Sequence, residues 1–163
     1  MTLDAIAKET GISKGGLLYH FPSKDALFEA MVTDIMDRVT EGMMKRVSDD
    51  PNPRGKWCRA YIEEVFAQFD ELDQTNAGLL AAISTHPEML RPFHEHYALW
   101  KDNMEHDGIH PKSAMMIRLT IDGLKFNALF GMPSLQESDK NTLLEALLFL
   151  TSGDGEAYKD EER

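Results

Sequence analysis

Apolar residues recur along this chain at spacings of three and four, the period of an amphipathic α-helix. No segment alternates with period two, as a half-buried strand would. Leu3, Ile6 and Ala7 fall on one face of a short first helix, with Thr2 placed to cap it and Gly11 placed to end it in the left-handed conformation. Ser13 can cap a second short helix that reaches Phe21. Pro22 stops it there, because proline lacks an N–H and restricts the residue before it. Ser23 then caps a much longer helix with Leu27, Met31, Ile35 and Val39 down one side. From Ser23 to Val47 it spans roughly 37 Å at about 1.5 Å per residue. The stretch from Ser48 to Gly55, with its Asp, Asn and Pro residues, is the clearest loop in the chain.

Beyond that loop the helical spacing resumes. Trp57, Tyr61, Val65, Phe66, Phe69 and Leu72 form one apolar stripe, and Leu79, Leu80 and Ile83 form a shorter one stopped at His86-Pro87. Phe93, Tyr97, Trp100 and Met104 form another, closed by Asp107-Gly108. Pro111 suits the first turn of a helix running to Phe130, with Gly131-Met132-Pro133 as its stop. Ser138 is placed to cap a last helix carrying Leu143, Leu144, Leu147, Leu148 and Leu150. The pattern predicts an all-α protein. Residues 1–47 form a head and connecting helix, 48–153 a helical body, and 154–163 a charged tail expected to be disordered.

Composition narrows the class. The chain has 163 residues, 42% of them apolar and 28% charged, which is enough apolar material for a folded core. Cys58 is the single cysteine, so neither an intrachain disulfide nor an all-cysteine zinc site can form. The N-terminus has no basic, apolar leader and no run of about 18 apolar residues occurs, so a cytoplasmic protein with no membrane partner is expected. The net charge of −11 is uneven: residues 1–46 carry −1 and residues 47–163 carry −10. An acidic body repels a polyanion, so any nucleic-acid contact is expected from the near-neutral head.

Two short helices joined by a tight glycine turn read as a helix-turn-helix, whose second helix enters the DNA major groove. Ser13 and Lys14 put a hydroxyl and a cation at a helix N-terminus, where free N–H groups favour a phosphate. Gly15 and Gly16 each cost a helix about 1 kcal/mol against alanine, which suggests that something approaches the backbone closely. Tyr19 and His20 offer hydrogen bonds and flat surface, and Lys24 opens the next helix. An ordinary helical hairpin with a solvated polar end fits the same residues.

The run from Ile6 to Leu27, within Leu3–Val32, resembles the DNA-binding region of TetR-family transcriptional regulators, in order and with its spacing intact. The resemblance implies a ligand-responsive regulator, a repressor released from a palindromic DNA operator by a small-molecule effector. It makes the helix ending at Phe21 the recognition helix and implies DNA contacts from Ser13, Lys14, Gly15, Gly16, Leu18, Tyr19, His20 and Lys24. Many relatives carry Tyr where this chain has Leu18, with Tyr19 one place on. Family members also carry a further, usually basic helix before this motif, whereas this sequence starts at the family's second helix. Leu3, Ile6, Leu17 and Phe21 are therefore expected to lack part of their cover. The alternative is a dimeric ligand-binding or protein-interaction module with lost or weakened DNA binding.

The resemblance also implies a homodimer joined by the last two helices, with Leu124, Leu143, Leu144, Leu147 and Leu148 at the interface. The same leucines could instead close the core of one protomer. A weaker echo of the family lies at Asp122-Gly123-Leu124. The family places an effector pocket among the middle helices. Here that implies walls from Phe66, Phe69, Met89, Phe93, Tyr97, Trp100, Met104, Met115 and Leu119, with His86, His94 and Asn127 as polar handles for an apolar or aromatic effector. By composition alone those residues fit a core equally well.

His94 and His96 point about 200° apart on a helix and cannot chelate one metal from one face, so no metal site is expected and the histidines read as surface or capping residues. Cys58 reads as a small buried residue. With no nucleophile–base motif, no phosphate-binding loop and no cofactor motif, the sequence does not read as an enzyme.

Overall fold

The computed structural model describes residues 2–68, 90–133 and 135–152, and all regular structure among them is α-helical. The described helices are α1 (Leu3–Thr10), α2 (Lys14–His20), α3 (Lys24–Asp49), α4 (Lys56–Ala67), α5 (Arg91–Glu105), α6 (Pro111–Leu129) and α7 (Glu137–Phe149). Phe69, Leu72, Leu79, Leu80, Ile83, His86, Met89 and the tail from 154 on lie outside the described residues.

The head follows its local signals. The hydroxyls of Thr2, Ser13 and Ser23 each accept the backbone N–H three residues on, from Ala5, Gly16 and Ala26, and so start α1, α2 and α3. Gly11 ends α1 at φ +72°, a conformation open to glycine at little cost. Ala7, Leu17, Leu27, Phe28 and Val32 are buried, while Leu3, Ile6 and Phe21 remain half-buried.

In the body, α3 packs on α4 and α5, α4 on α6 and α7, and α5 on α6. Its core contains Met43, Cys58, Tyr61, Ile62, Trp100, Met104, Ile117, Ile121, Leu124 and Leu147. The Asp50–Gly55 loop is tied down from several sides. Arg59 donates from Nε to Asp50 Oδ2 at 2.7 Å, and from its two terminal nitrogens to the carbonyls of Arg54 and Asn52 at 2.8 Å each. The guanidinium holds the Asp50 carboxyl below its ordinary range. Asp107 is buried and accepts the N–H groups of Trp57 (3.1 Å) and Cys58 (2.8 Å), capping α4 from fifty residues away.

Four boundaries differ from the sequence expectation. Helix α2 ends at His20, and Phe21 becomes its C-cap. Helix α3 continues to Asp49, two residues past Val47. Helix α6 ends at Leu129, and Phe130 becomes its C-cap. Helix α7 starts at Glu137 after Gln136, which puts Ser138 inside the first turn with its hydroxyl toward Asp139 rather than at the cap.

The α3–α4 crossing is close at Gly42. A Cβ there would lie 2.3 Å from Oε1 of Glu64, a buried carboxylate that accepts from Arg46 Nε at 2.9 Å. Arg46 also reaches Glu63, so the pair fixes the two helices in register. Gly42→Ala would be expected to gain about 1 kcal/mol in an open helix. Here it is expected to lower stability by roughly 1–2 kcal/mol in a urea titration, because the added carbon displaces Glu64 from Arg46.

Candidate nucleic-acid interface and effector site

The residues singled out in the head gather on the exposed side of α2 and the start of α3. Ser13, Lys14, Gly15, Leu18, Tyr19, His20 and Lys24 are exposed, and Gly16 is half-buried. Tyr19 is 85% exposed and meets the His20 ring edge-on at 5.1 Å. A tyrosine so fully in water has no folding role and is free to meet a partner. The two glycines separate. A Cβ at Gly16 would lie 3.1 Å from the Ser13 hydroxyl, so the cap itself accounts for that glycine. A Cβ at Gly15 would meet nothing within 4 Å, so nothing among the described residues requires glycine there. Lys14 pairs with Asp4 of α1 at 2.8 Å, and Lys24 lies 5.3 Å from the centroid of the Phe28 ring. The Lys14–Asp4 pair is exposed on both sides, which makes it weak and easily exchanged for a phosphate.

In the body, a polar cluster joins α4, α5 and α6. The Tyr61 hydroxyl donates to Asp122 Oδ1 at 2.7 Å, and the Tyr97 hydroxyl donates to Asp122 Oδ2. Each phenol also accepts from a cation: Arg118 donates to Tyr97 at 2.9 Å and Lys125 donates to Tyr61 at 3.1 Å. Lys125 Nζ lies over the Tyr61 and Trp100 rings, 4.6 and 5.5 Å from their centroids. Burial pushes its ammonium down to about 8, against the opposing pull of Asp122. Burial and the Asp122 charge push both phenols up. The sequence does carry a signal for this cluster: Arg118, Asp122 and Lys125 stand at i, i+4 and i+7 on a helix whose other charged residue is Lys112 in its first turn.

The residues expected to line an effector pocket fall into three sets. Trp100 and Met104 are fully buried in the core. Phe66, Phe93 and Tyr97 are half-buried, and Phe93 stacks on Tyr97 at 5.7 Å. Met115, Leu119 and Asn127 stand on the exposed side of α6, because Ala114, Ile117, Ile121 and Leu124 take the inward side. Phe69, His86 and Met89 lie outside the described residues.

The expected interface leucines also turn inward. Leu124 and Leu147 are buried in the protomer's own core, and Leu143, Leu144 and Leu148 are partly buried against it. Around the last two helices, the large apolar side chains left in water among the described residues are instead Met115, Leu119, Phe126 and Phe130 down one side of α6, with Met132 and Phe149.

The histidines take varied places. His94 is exposed, His106 bonds within its own helical turn, and the His110 ring accepts the Lys112 N–H to cap α6. His96 is half-buried between Thr40 (2.9 Å) and Asp37 (3.3 Å), tying α5 to α3, a role the sequence did not reveal. Cys58 is fully buried, and burial beside Asp107 pushes its thiol far up, which leaves it unreactive. No helix among the described residues is long and apolar enough to cross a membrane.

Residues 1–31 match the family model described as bacterial regulatory proteins, tetR family, and residues 55–152 match the one described as tetracyclin repressor-like, C-terminal domain. The chain is 31% identical over 109 residues to the HTH-type transcriptional regulator LmrA of Bacillus subtilis, a match covering 60% of this chain and 55% of that protein.

Proposed function

This chain belongs to the TetR family of transcriptional regulators, and from that premise we propose that it is a repressor, held on a palindromic operator as a homodimer and released by a small-molecule effector. The observation that carries the reading is the capped, glycine-bearing α2, which presents Tyr19, His20 and Lys14 to solvent on a rigid support. A two-fold dimer would present two such helices to successive major grooves. The apolar stripe on α6 supports the dimer, since an aromatic surface of that kind is costly to leave in water. Effector binding in the body would favour one placement of the two α2 helices over another, and only one placement fits the operator.

The test is a shift assay on the DNA upstream of the encoding gene, run at two salt concentrations. Binding that falls steeply with salt is the expected result. DNA affinity absent at low salt would instead favour a dimeric ligand-binding or protein-interaction module, in keeping with the near-neutral head and acidic body. Lys14→Ala and Lys24→Ala are expected to weaken binding to all sequences alike and to lower the salt slope by about one each. Tyr19→Ala and His20→Ala are expected to change sequence preference as well, read from competition between operator variants. Operator binding unmoved by all four changes would remove α2 from the DNA.

A further inference from the structure

Among the described residues, one cation of the Asp122 cluster, Lys125, makes no ion pair. Asp122 accepts a hydrogen bond from each of two phenols, and Arg118, one helical turn away at 3.8 Å, is its direct counter-ion. Lys125 is the cation left over. An ammonium has three N–H donors. Among the described residues, the Tyr61 hydroxyl is the hydrogen-bond acceptor that Lys125 finds, and the rest of its surroundings include the Tyr61 and Trp100 rings. Rings soften the burial of a cation but do not replace an anion. The nearby aromatic surface comes from the half-buried Phe93 and Tyr97, stacked within 14° of parallel, while Trp100 and Tyr61 are fully buried beneath it.

We propose that the body binds an organic carboxylate with a flat apolar body, whose carboxylate pairs with Lys125 Nζ beside the Tyr61 hydroxyl. The proposal rests on the reading of this domain as effector-binding and names the chemical class of the effector. A carboxylate supplies both missing features, a negative charge and an acceptor, whereas a neutral ligand supplies at most the second. It also carries a signature in protons. Burial alone holds the ammonium near 8, and a bound anion would return it toward the ordinary lysine range. Binding above pH 8 therefore draws in a proton.

The experiment is titration calorimetry of the full chain with 2-naphthoate and octanoate, against 2-naphthamide and octanamide as neutral counterparts. At pH 8.5, in buffers of different ionisation heat, the carboxylates are expected to bind at least tenfold more tightly than the amides and to take up roughly 0.7 proton. Lys125→Met is expected to abolish the uptake and to cost tenfold or more in carboxylate affinity while leaving the melting temperature equal or higher, because it removes a half-buried charge that makes no ion pair among the described residues. Lys125→Arg, which keeps the charge, is expected to retain carboxylate preference without the proton uptake.

Equal affinity for acids and amides, carboxylate binding that survives Lys125→Met, or no carboxylate binding at millimolar concentration would each overturn the proposal. The wider reading fails separately. Release of operator by neutral compounds that ignore Lys125→Met sinks the carboxylate site and leaves the effector-responsive regulator standing. Carboxylate binding that leaves operator affinity unchanged upholds the site and removes its effector role.

Discussion

Phe126→Asp is expected to turn the protein into a monomer and to weaken operator binding by at least a hundredfold. Phe126 is 58% exposed and stacks on Phe130 at 6.4 Å, on the same side of α6 as Met115 and Leu119. Gly123 lies within that side, and a Cβ there would meet nothing within 4 Å, so a second helix can approach closely at that point. In a two-fold interface the substitution appears twice, placing two carboxylates at a desolvated apolar seam. The loss of DNA binding follows from connectivity. Two recognition helices on one body bind with a high local concentration at the second half-site, and two separate monomers do not. Sedimentation equilibrium gives the mass, the shift assay gives the affinity, and far-ultraviolet circular dichroism shows that α6 still forms. A variant that stays dimeric would move the seam to another face.

Asp122→Asn is expected to be the most damaging single change in the body, costing about 3–5 kcal/mol at pH 7. Asparagine offers the two phenols one acceptor oxygen, leaves Arg118 without its counter-ion and removes the nearby charge that favours the Lys125 ammonium. The pH dependence identifies the cause. In the wild type, the Lys125 ammonium is held at about 8 when folded, against an ordinary value of 10.5. The unfolded chain therefore binds the extra proton between these values, and stability rises with pH across that window. Loss of Asp122 removes the charge that props the ammonium up, so Lys125 releases its proton at still lower pH. The penalty measured at pH 9.5, where folded Lys125 is already neutral, is then smaller than at pH 7. A penalty independent of pH, followed by urea titration, would assign the damage to lost hydrogen bonds alone.

The features legible in the sequence are those written within a few residues. Thr2, Ser13 and Ser23 cap the helices that follow them because a hydroxyl three residues before a free N–H is sufficient. Gly11 and Pro111 are readable for the same reason. Helix α6 marks where this reasoning stops. It is apolar on both sides, with Ala114, Ile117, Ile121 and Leu124 buried and Met115, Leu119 and Phe126 exposed, so periodicity does not say which side is the core. Hence Leu124, expected at the interface, is buried within the protomer, and Met115 and Leu119, expected as pocket walls, are exposed. The polar cluster escaped for a different reason. Tyr61, Tyr97 and Asp122 come from three helices and meet only through long-range packing, and each tyrosine reads locally as one more apolar position in a stripe.

The length of α3 sets a mechanical scale. Its 26 residues make a rod of about 39 Å, with Leu27 and Phe28 buried at the head end and Met43 buried at the body end. Between them Thr40 accepts the Trp100 indole N–H at 3.1 Å and meets His96, so the rod has a fulcrum on the helix next to the Asp122 cluster. A tilt of about 8° about Thr40 moves the head end of the rod, roughly 24 Å away, by about 3.4 Å, one base-pair step along DNA. In the proposed regulator, a change no larger than a side chain's width in the body would therefore put α2 one step out of phase with its half-site.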